Sequence, residues 1–177
     1  MLANKSAIIY GGGGVIGGAV AREFAREGAK VFLAGRTSAC STCSAWALAI
    51  SRSMTMPSQS SLMRRAHFIT AKAVAWHMAK RKSGVILTLS TPGGYLPGVG
   101  YLGVGVACAI EGFSRLLACE LAPSGIRVIC LRPHALPEAL ALGSHGRAVF
   151  QPIAERTAFM ASDKAGAMTG RISEQPH

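Results

Sequence analysis

Acidic side chains are scarce in this sequence, and they are unevenly placed. Eight Asp and Glu residues stand against 19 Lys and Arg, which gives a formal net charge of +11. No acidic residue occurs between Glu27 and Glu111, and the only basic runs in that stretch are Arg64-Arg65 and Lys80-Arg81-Lys82. A nucleic-acid-binding protein tends to cluster such charge with aromatic residues on one face. We therefore expect a phosphorylated small-molecule cofactor and a solvated face, not a nucleic acid, to account for the excess.

Long hydrophobic runs are also missing. No apolar run approaches the roughly 18 residues that suggest a membrane span, although half of the residues are hydrophobic and the mean hydropathy is +0.33. The first five residues lead straight into a strand-like segment, without the long apolar stretch and cleavage site of a signal peptide. We expect a cytoplasmic protein with no membrane partner and no structural disulfides.

A second pair of metal ligands is absent. Cys40 and Cys43 form a C-x-x-C pair, which is half of a zinc site or a redox motif. Neither a second C-x-x-C nor an H-x-x-x-H follows it, and so we predict no metal site. Cys108, Cys119 and Cys130 lie in apolar segments, and we interpret them as small core residues.

The start of the chain has the pattern of a βαβ unit. Residues 7–10 are a short apolar run that stops at four glycines, 11–14. Apolar residues then recur at four-residue spacing over 16–24, which predicts an amphipathic helix ended by Gly28. Residues 30–34 form a second apolar run. Strand, glycine loop, helix and strand within about 30 residues make a βαβ unit.

Residues 37–61 break this order. Eight of these 25 residues are serine, two are cysteine, and none is acidic or glycine. The stretch keeps neither helical nor strand periodicity, and we interpret it as an atypical segment that is replaced or out of frame.

Regular patterns return beyond this segment. They predict a helix over 63–80, a strand over 85–89, a helix over 104–121 and a strand over 126–131. Apolar strands that alternate with helices are typical of an α/β fold whose doubly wound, mostly parallel sheet is covered on both faces. The chain of 177 residues is long enough for a single domain with a sizeable core.

The glycine loop is the first candidate site. After a buried strand a tight turn requires glycine, and a further glycine lets backbone N–H groups approach a pyrophosphate at the helix N-terminus. Gly11 and Gly17 stand in those places, with Gly14 and Ile16 between them. A purely structural turn is the alternative. The position between a strand and a helix favours dinucleotide binding.

Arg36 is the second informative residue. NAD-specific sites place an acid at the end of the second strand, where it bonds the ribose 2′-hydroxyl. Ala34-Gly35-Arg36 occupies that place here. A guanidinium suits a 2′-phosphate, whereas the alternative is an exposed arginine without a role. We therefore expect NADP(H) as the cofactor.

These segments together resemble the short-chain dehydrogenase/reductase family, in the branch similar to 3-oxoacyl-carrier-protein reductases. The family opens with T-G-x-x-x-G-x-G, which residues 10–17 match with Tyr10 for the threonine and Val15 for the middle glycine. Residues 84–133 resemble its fifth strand, interface helix and sixth strand. Residues 159–163 and 168–170 resemble its late elements.

The resemblance implies a Rossmann-type fold that lacks about one βαβ unit and forms a single dinucleotide-binding domain over 1–177. It also implies an NADP(H)-dependent oxidoreductase acting on a small-molecule carbonyl or alcohol, and a homo-oligomer that uses the helix over 104–121.

The departures from the family concern its active site, which uses a serine, an asparagine and a Tyr-x-x-x-Lys pair. Ser90 stands in the place of the serine, and Tyr101 is the nearby tyrosine, but no lysine lies between Lys82 and Lys164. The only asparagine is Asn4. Without a nearby cation a phenol keeps a pKa close to about 10, which is poor for general acid–base catalysis at neutral pH.

Alignment on Glu111-Gly112 gives no better pair, because it puts Gly103 and Ala107 at the positions of the tyrosine and the lysine. His134 follows Arg132-Pro133, where the family has a turn that borders the nicotinamide. A lone loop histidine is more often incidental than active.

Three functions stay open. The first is an NADP(H)-dependent oxidoreductase in which Ser90 and Tyr101 are catalytic. The second is a non-catalytic dinucleotide-binding homologue, which the missing lysine and asparagine favour. The third is a damaged, non-functional gene product, which the unusual composition of 37–61 favours.

Overall fold

The computed structural model describes residues 1–34, 56–90, 101–133 and 150–174, apart from the side chains of Val15, 56–64 and 101–107. Parallel strands alternate with helices, which confirms the α/β class. The elements are β1 (Ser6–Tyr10), α1 (Val15–Arg26), β2 (Lys30–Ala34), α2 (Met56–Arg81), β3 (Gly84–Leu89), α3 (Tyr101–Leu121), β4 (Ile126–Arg132), α4 (Gln151–Ala161) and β5 (Ile172–Glu174). They form two compact units: β1, α1, β2 and α4 belong to the first, and α2, β3, α3, β4 and β5 to the second.

In the first unit, β1 and β2 pair in parallel, with Ser6 opposite Lys30 and Tyr10 opposite Ala34. The predicted βαβ unit is therefore confirmed, with β2 over the expected residues. The chain leaves α1 at Gly28, whose φ of +90° lies in the left-handed region that favours glycine. The buried side of α1 packs against α4. Its core residues are Ala19, Val20, Ala21 and Phe24, with Phe150, Ile153, Ala158 and Met160 buried in the same unit.

β1 is less buried than a central strand of a covered sheet. Ile8 and Tyr10 are each more than half exposed. Within the described part of the chain β1 pairs with β2 alone, so that only one edge of it is protected by another strand.

In the second unit, β4 lies between β3 and β5 in a parallel sheet. Gly84 faces Ile126, and Cys130 faces Ile172. β4 is the most buried of these strands, as its continuous apolar run predicts. Helices α2 and α3 cover the sheet around a core cluster. That cluster contains Ile86, Ala118, Ile126 and Val128, with Val74, Met78, Ala79, Leu117 and Leu121 packed against it.

Both long helices begin earlier than the sequence predicts. α2 begins at Met56, so that residues 56–61 of the atypical segment are helical, while 37–55 lie outside the described residues. Pro57 is tolerated there because the first turn of a helix needs no N–H donor from it. α3 begins at Tyr101, and its Gly103 and Gly105 explain the late prediction, since glycine has a low helix propensity.

The cysteine interpretation is partly wrong. Cys130 is buried in β4, but Cys108 and Cys119 are exposed on α3. They lie on the side of the helix that also carries the exposed Leu116, because positions 108, 112, 116 and 119 share one side at helical spacing. Cys40 and Cys43 lie outside the described residues.

No described helix has the length and apolar composition needed to cross a membrane. In the same described ranges, no three His, Cys, Asp or Glu side chains come together as a metal site.

Candidate functional site

The turn after β1 depends on glycine geometry. Gly11 has a φ of +81°, and its backbone nitrogen donates to the carbonyl oxygen of Ala34 at 2.7 Å, which ties the loop to the end of β2. A Cβ on Gly17 would lie 2.2 Å from the Gly11 carbonyl oxygen, so α1 approaches the loop too closely for any side chain there. Gly11 thus has the tight-turn geometry that the sequence predicts. The close approach at Gly17 is between α1 and the Gly11 backbone, and the approach of this loop to a pyrophosphate stays a prediction.

Gly12 is a third glycine in a crowded position, which the sequence reasoning did not single out. A Cβ at this position would lie 2.6 Å from Cδ2 of Leu33 in β2. The run of four glycines contained the signal, but the run alone does not show which glycine faces the neighbouring strand.

The N-terminus of α1 suits a phosphate group. Gly14 is the N-cap residue and provides no side-chain cap, and the first turn carries no acidic residue. The first N–H groups of a helix lack internal acceptors, and together with the helix dipole they favour an anion. Ile16 is the second residue of this helix and is half-buried. The uncapped N–H groups and the absence of acidic residues in the first turn thus fit a pyrophosphate of a dinucleotide.

Three predicted residues cannot be placed in this way. Arg36 and His134 lie outside the described residues, so their roles stay predictions. Tyr101 is the first residue of α3, but its side chain is outside the described set.

Ser90 directly follows β3 and is fully buried. Its hydroxyl donates a hydrogen bond of 2.7 Å to Oε1 of Glu111, which is a buried residue of α3. Arg132, at the end of β4, donates from Nε to Oε1 of Glu111 at 2.8 Å and from Nη2 to Oε2 at 2.5 Å. Its Nη1 donates to Glu174 at the end of β5. The ends of three parallel strands thus meet the middle of α3 in a single polar cluster.

A second polar layer lies next to this cluster. The hydroxyls of Thr88 and Ser114 are 2.7 Å apart, and the Ser114 hydroxyl also donates to the carbonyl oxygen of Ile110. Burial raises the pKa of the Cys130 thiol, which hydrogen bonds with Thr88 and Ser114 partly offset. The sequence reasoning missed both layers. Their signal was the alternation of polar residues at 88 and 90, at the end of one predicted strand and just after it, and at 130 and 132, in the same places of the next.

The cluster is held by charge as well as by hydrogen bonds. The Arg132 guanidinium is the main reason that the pKa of Glu111 lies below its ordinary value. The Ser90 hydroxyl lowers this pKa further, and burial opposes both effects. Glu111 is therefore ionised at neutral pH. Arg132 is paired with two carboxylates, and so it does not supply the uncompensated cation that would lower the pKa of a phenol.

Residues 60–140 match the family model described as short chain dehydrogenase. Over 76 residues the chain is 41% identical to xanthoxin dehydrogenase of Arabidopsis thaliana, a match that covers 42% of this chain and 27% of the relative. Over 71 residues it is 41% identical to dehydrogenase/reductase SDR family member 4 of Sus scrofa, covering 39% of this chain and 25% of the relative. Just under half of the chain is therefore similar to the short-chain dehydrogenase/reductase family. The matched residues span about a quarter of the length of each of these two relatives.

Solved structures of short-chain dehydrogenases share the fold. L-sorbose reductase of Gluconobacter frateurii, solved with NADPH and L-sorbose, superposes with a TM-score of 0.81 at 17% identity, over 98% of this chain and 95% of that one. The 3-ketoacyl-(acyl-carrier-protein) reductase of Brucella melitensis, solved with NADH, gives a TM-score of 0.77 at 20% identity, over 98% and 97%. The Rossmann-type fold is thereby confirmed.

We predict that Glu111 makes the protein sensitive to acid. Because its pKa is lowered in the folded state, its contribution to the free energy of unfolding is present above the unfolded value of about 4.3. That contribution is lost as the pH falls through the folded pKa. Glu111→Gln should lower the unfolding free energy at pH 7 by about 1–3 kcal/mol, because it removes one charged hydrogen-bonding partner of Arg132 while Glu174 remains.

Urea denaturation between neutral pH and about pH 3 measures this effect. Glu120→Gln, at an exposed position of the same helix, is the control. The unfolding free energy of the Glu111 variant should decline less steeply with acid than that of the control. Parallel pH profiles for the two variants would refute the assignment.

Proposed function

We propose that this chain binds NADP(H) at the glycine loop and acts on a small-molecule carbonyl or alcohol, with hydride transfer that is slow for its family. The observation that carries the proposal is the glycine turn after β1, which packs closely against Gly17 and leads into a helix N-terminus that has no side-chain cap and no acidic residue in its first turn. Gly11, Gly14, Ile16 and Gly17 form the phosphate side of the site. Arg36 is the residue proposed to bind the 2′-phosphate.

The choice of NADP(H) over NAD(H) depends on Arg36. Related folds have been solved with either cofactor, since the L-sorbose reductase structure contains NADPH and the ketoacyl reductase structure contains NADH. In this chain no acidic residue follows β2 before Glu111, so nothing in that stretch repels a 2′-phosphate or bonds a ribose hydroxyl as a carboxylate does.

We predict that Gly17→Ala abolishes detectable NADP(H) binding, while Gly18→Ala leaves it nearly unchanged. A Cβ on Gly17 would collide with the Gly11 backbone, whereas a Cβ on Gly18 would meet its nearest atoms at 3.4–3.5 Å, an ordinary contact. Calorimetric or fluorescence titration measures binding, and thermal unfolding checks that both variants fold. Similar affinities for the two variants would show that the cofactor does not bind at this loop.

We predict that Arg36→Ala removes most of the preference for NADP(H). A charged hydrogen bond to the 2′-phosphate is worth roughly 1.5–3 kcal/mol, which corresponds to about a 10- to 100-fold loss of affinity. NAD(H), which has no 2′-phosphate, is the control ligand and should bind equally well before and after the change. Equal affinities of the parent protein for the two cofactors would contradict the proposed role of Arg36.

The chemistry is limited by proton transfer. The nicotinamide, when bound, supplies or accepts the hydride, and the negative charge that develops on the substrate oxygen needs hydrogen-bond donors. Ser90 directs its hydroxyl hydrogen at Glu111, and Arg132 is neutralised by two carboxylates. Tyr101 is the remaining candidate for the proton donor, and the sequence provides no lysine near it.

We predict that turnover of common ketone substrates is absent or very slow. The rate should be on the order of 100- to 10,000-fold below that of an enzyme with effective general acid–base catalysis. Following NADPH absorbance with a panel of ketones measures it. Rapid turnover at neutral pH that is lost in Tyr101→Phe would contradict this prediction and make Tyr101 catalytic. Residual turnover that survives Tyr101→Phe but is lost in Ser90→Ala would support proton supply from solvent.

The second candidate function is a non-catalytic dinucleotide-binding protein. The hydrogen bond from Ser90 to Glu111 favours it, because this serine has its single donor engaged within the protein. NADP(H) binding without any turnover would support this function over catalysis. Failure of both binding and turnover would favour a damaged gene product.

We further propose a homo-oligomer that uses the exposed side of α3. Leu116 is 74% exposed there, with Cys108, Gly112 and Cys119 on the same side, and a small-residue helix surface permits close approach of a second copy. Leu116→Lys should shift the protein toward monomers in light scattering at micromolar concentration, because isologous contact places the two new charges close together. Phe159→Lys, at another partly exposed position, is the control. A parent protein that is monomeric would overturn the proposal.

We also propose, from the sequence, that residues 1–177 form a single domain and that the protein is cytoplasmic.

A further inference from the structure

Cys108 and Cys119 both lie on the exposed side of α3 and point in nearly the same direction. They are separated by about three helical turns, so that their directions around the helix axis differ by only about 20°. Along the axis they are roughly 16 Å apart, which is too far for a disulfide within one helix. The two thiols of one chain therefore cannot pair with each other.

Between the two cysteines, the same side of α3 carries a projecting side chain and an open position. Leu116 is 74% exposed. One turn earlier, a Cβ added at Gly112 would have no atom within 4 Å, so the helix surface is uncovered there. An isologous contact needs a surface that is complementary to itself. Leu116 and Gly112 meet this requirement, because each leucine can lie over the glycine of the other copy.

This contact determines which positions of two antiparallel α3 helices face each other. A helical side chain leans toward the N-terminus of its helix by about one position. Leu116 therefore covers the partner's Gly112 when its own Cα lies opposite position 111 of the partner. A two-fold axis runs the second helix in the reverse direction, so each step forward on one helix is a step back on the other. The same register then places Cys108 opposite the partner's Cys119.

The facing cysteines are close enough for a disulfide in this register. Both lie about 50° from the direction of Leu116 and Gly112, on the same flank of the contact. Cα atoms lie about 2.3 Å from the helix axis, and packed helices are about 8–10 Å apart. With a glycine at the contact the short end of that range applies, which gives a Cα–Cα distance of about 5–6 Å for the facing cysteines. A disulfide requires about 4.4–6.8 Å.

We propose that the α3 dimer forms two reversible disulfides, each between Cys108 of one copy and Cys119 of the other, with a small-molecule disulfide such as glutathione disulfide as the oxidant. This inference rests on the proposed homo-oligomer. One cysteine thiolate attacks glutathione disulfide and releases a glutathione, and the facing cysteine then displaces the second one. Two protein thiols are oxidised, one glutathione disulfide is reduced, and the two thiol protons pass to the two glutathiones. Excess glutathione reverses the reaction, as suits a cytoplasmic protein, in which disulfides are transient or redox-sensing.

Other linkages fit this face less well. A disulfide between two copies of Cys108 would require the two-fold axis to pass that residue, and one between two copies of Cys119 would require it to pass at the other end. Either register moves Leu116 away from the partner's Gly112. Cys130 is buried in β4 and is not part of this surface.

Non-reducing electrophoresis tests the proposal. The full chain, with Cys40 and Cys43 replaced by serine, is incubated with glutathione disulfide, and the remaining thiols are then blocked with N-ethylmaleimide. We expect a covalent dimer that dithiothreitol converts back to monomers. Cys108→Ser and Cys119→Ser should each abolish this dimer, because neither cysteine faces its own copy. A mixture of the two single variants should restore it in part, since a mixed dimer keeps one facing pair.

Light scattering of the reduced protein reports the homo-oligomer separately from the disulfide, and circular dichroism verifies that each variant folds. Leu116→Lys should prevent the covalent dimer along with the association, whereas Phe159→Lys should not. A reduced dimer that forms no disulfide would overturn this proposal and leave the homo-oligomer intact. So would a covalent dimer that persists in either single cysteine variant, or one whose yield Leu116→Lys does not change. A monomeric reduced protein that gives no covalent dimer would overturn both proposals.

Discussion

The pairing of Glu111 with Arg132 is the interaction on which the second unit most depends. A buried carboxylate is tolerated only when charge and hydrogen bonds compensate for its lost hydration. Arg132 and Ser90 supply that compensation from the ends of β4 and β3. Because three elements must meet at one carboxylate, the position of α3 along the sheet is determined. This position also places Ala118 in the core and leaves Leu116 outside.

The same pairing engages charged groups at one edge of the sheet. Ligands of doubly wound folds bind at the carboxyl ends of the strands, which is where this chain places Arg132 and Ser90. A guanidinium committed to two carboxylates stabilises the fold but contributes little positive potential to a substrate. Alignment puts Ala107 where the family has its lysine, one turn before Glu111. The charges of Glu111 and Arg132 therefore bind α3 to the ends of β3 and β4.

Local patterns predicted the parts of the fold that depend on local physics. The four glycines, the apolar spacing in α1 and Gly28 predicted the first βαβ unit, since each of these features acts within a few residues. The polar cluster could not be predicted in the same way, because positions 90, 111, 132 and 174 meet only when the strand order is known. The exposure of Cys108 and Cys119 was missed for a related reason: an apolar helix pattern does not show which side the rest of the chain covers.

The location of the positive charge changes how the composition is understood. Residues 6–21, which contain β1, the glycine loop and the first turns of α1, include no basic residue. A pyrophosphate there would be held by backbone N–H groups and the helix dipole, and Arg36 is the one nearby cation in sequence that the proposed cofactor explains. The exposed cations of α2 belong to a different element, where they alternate with Ile69 and Trp76. A dinucleotide at the glycine loop therefore accounts for only part of the positive charge of the chain.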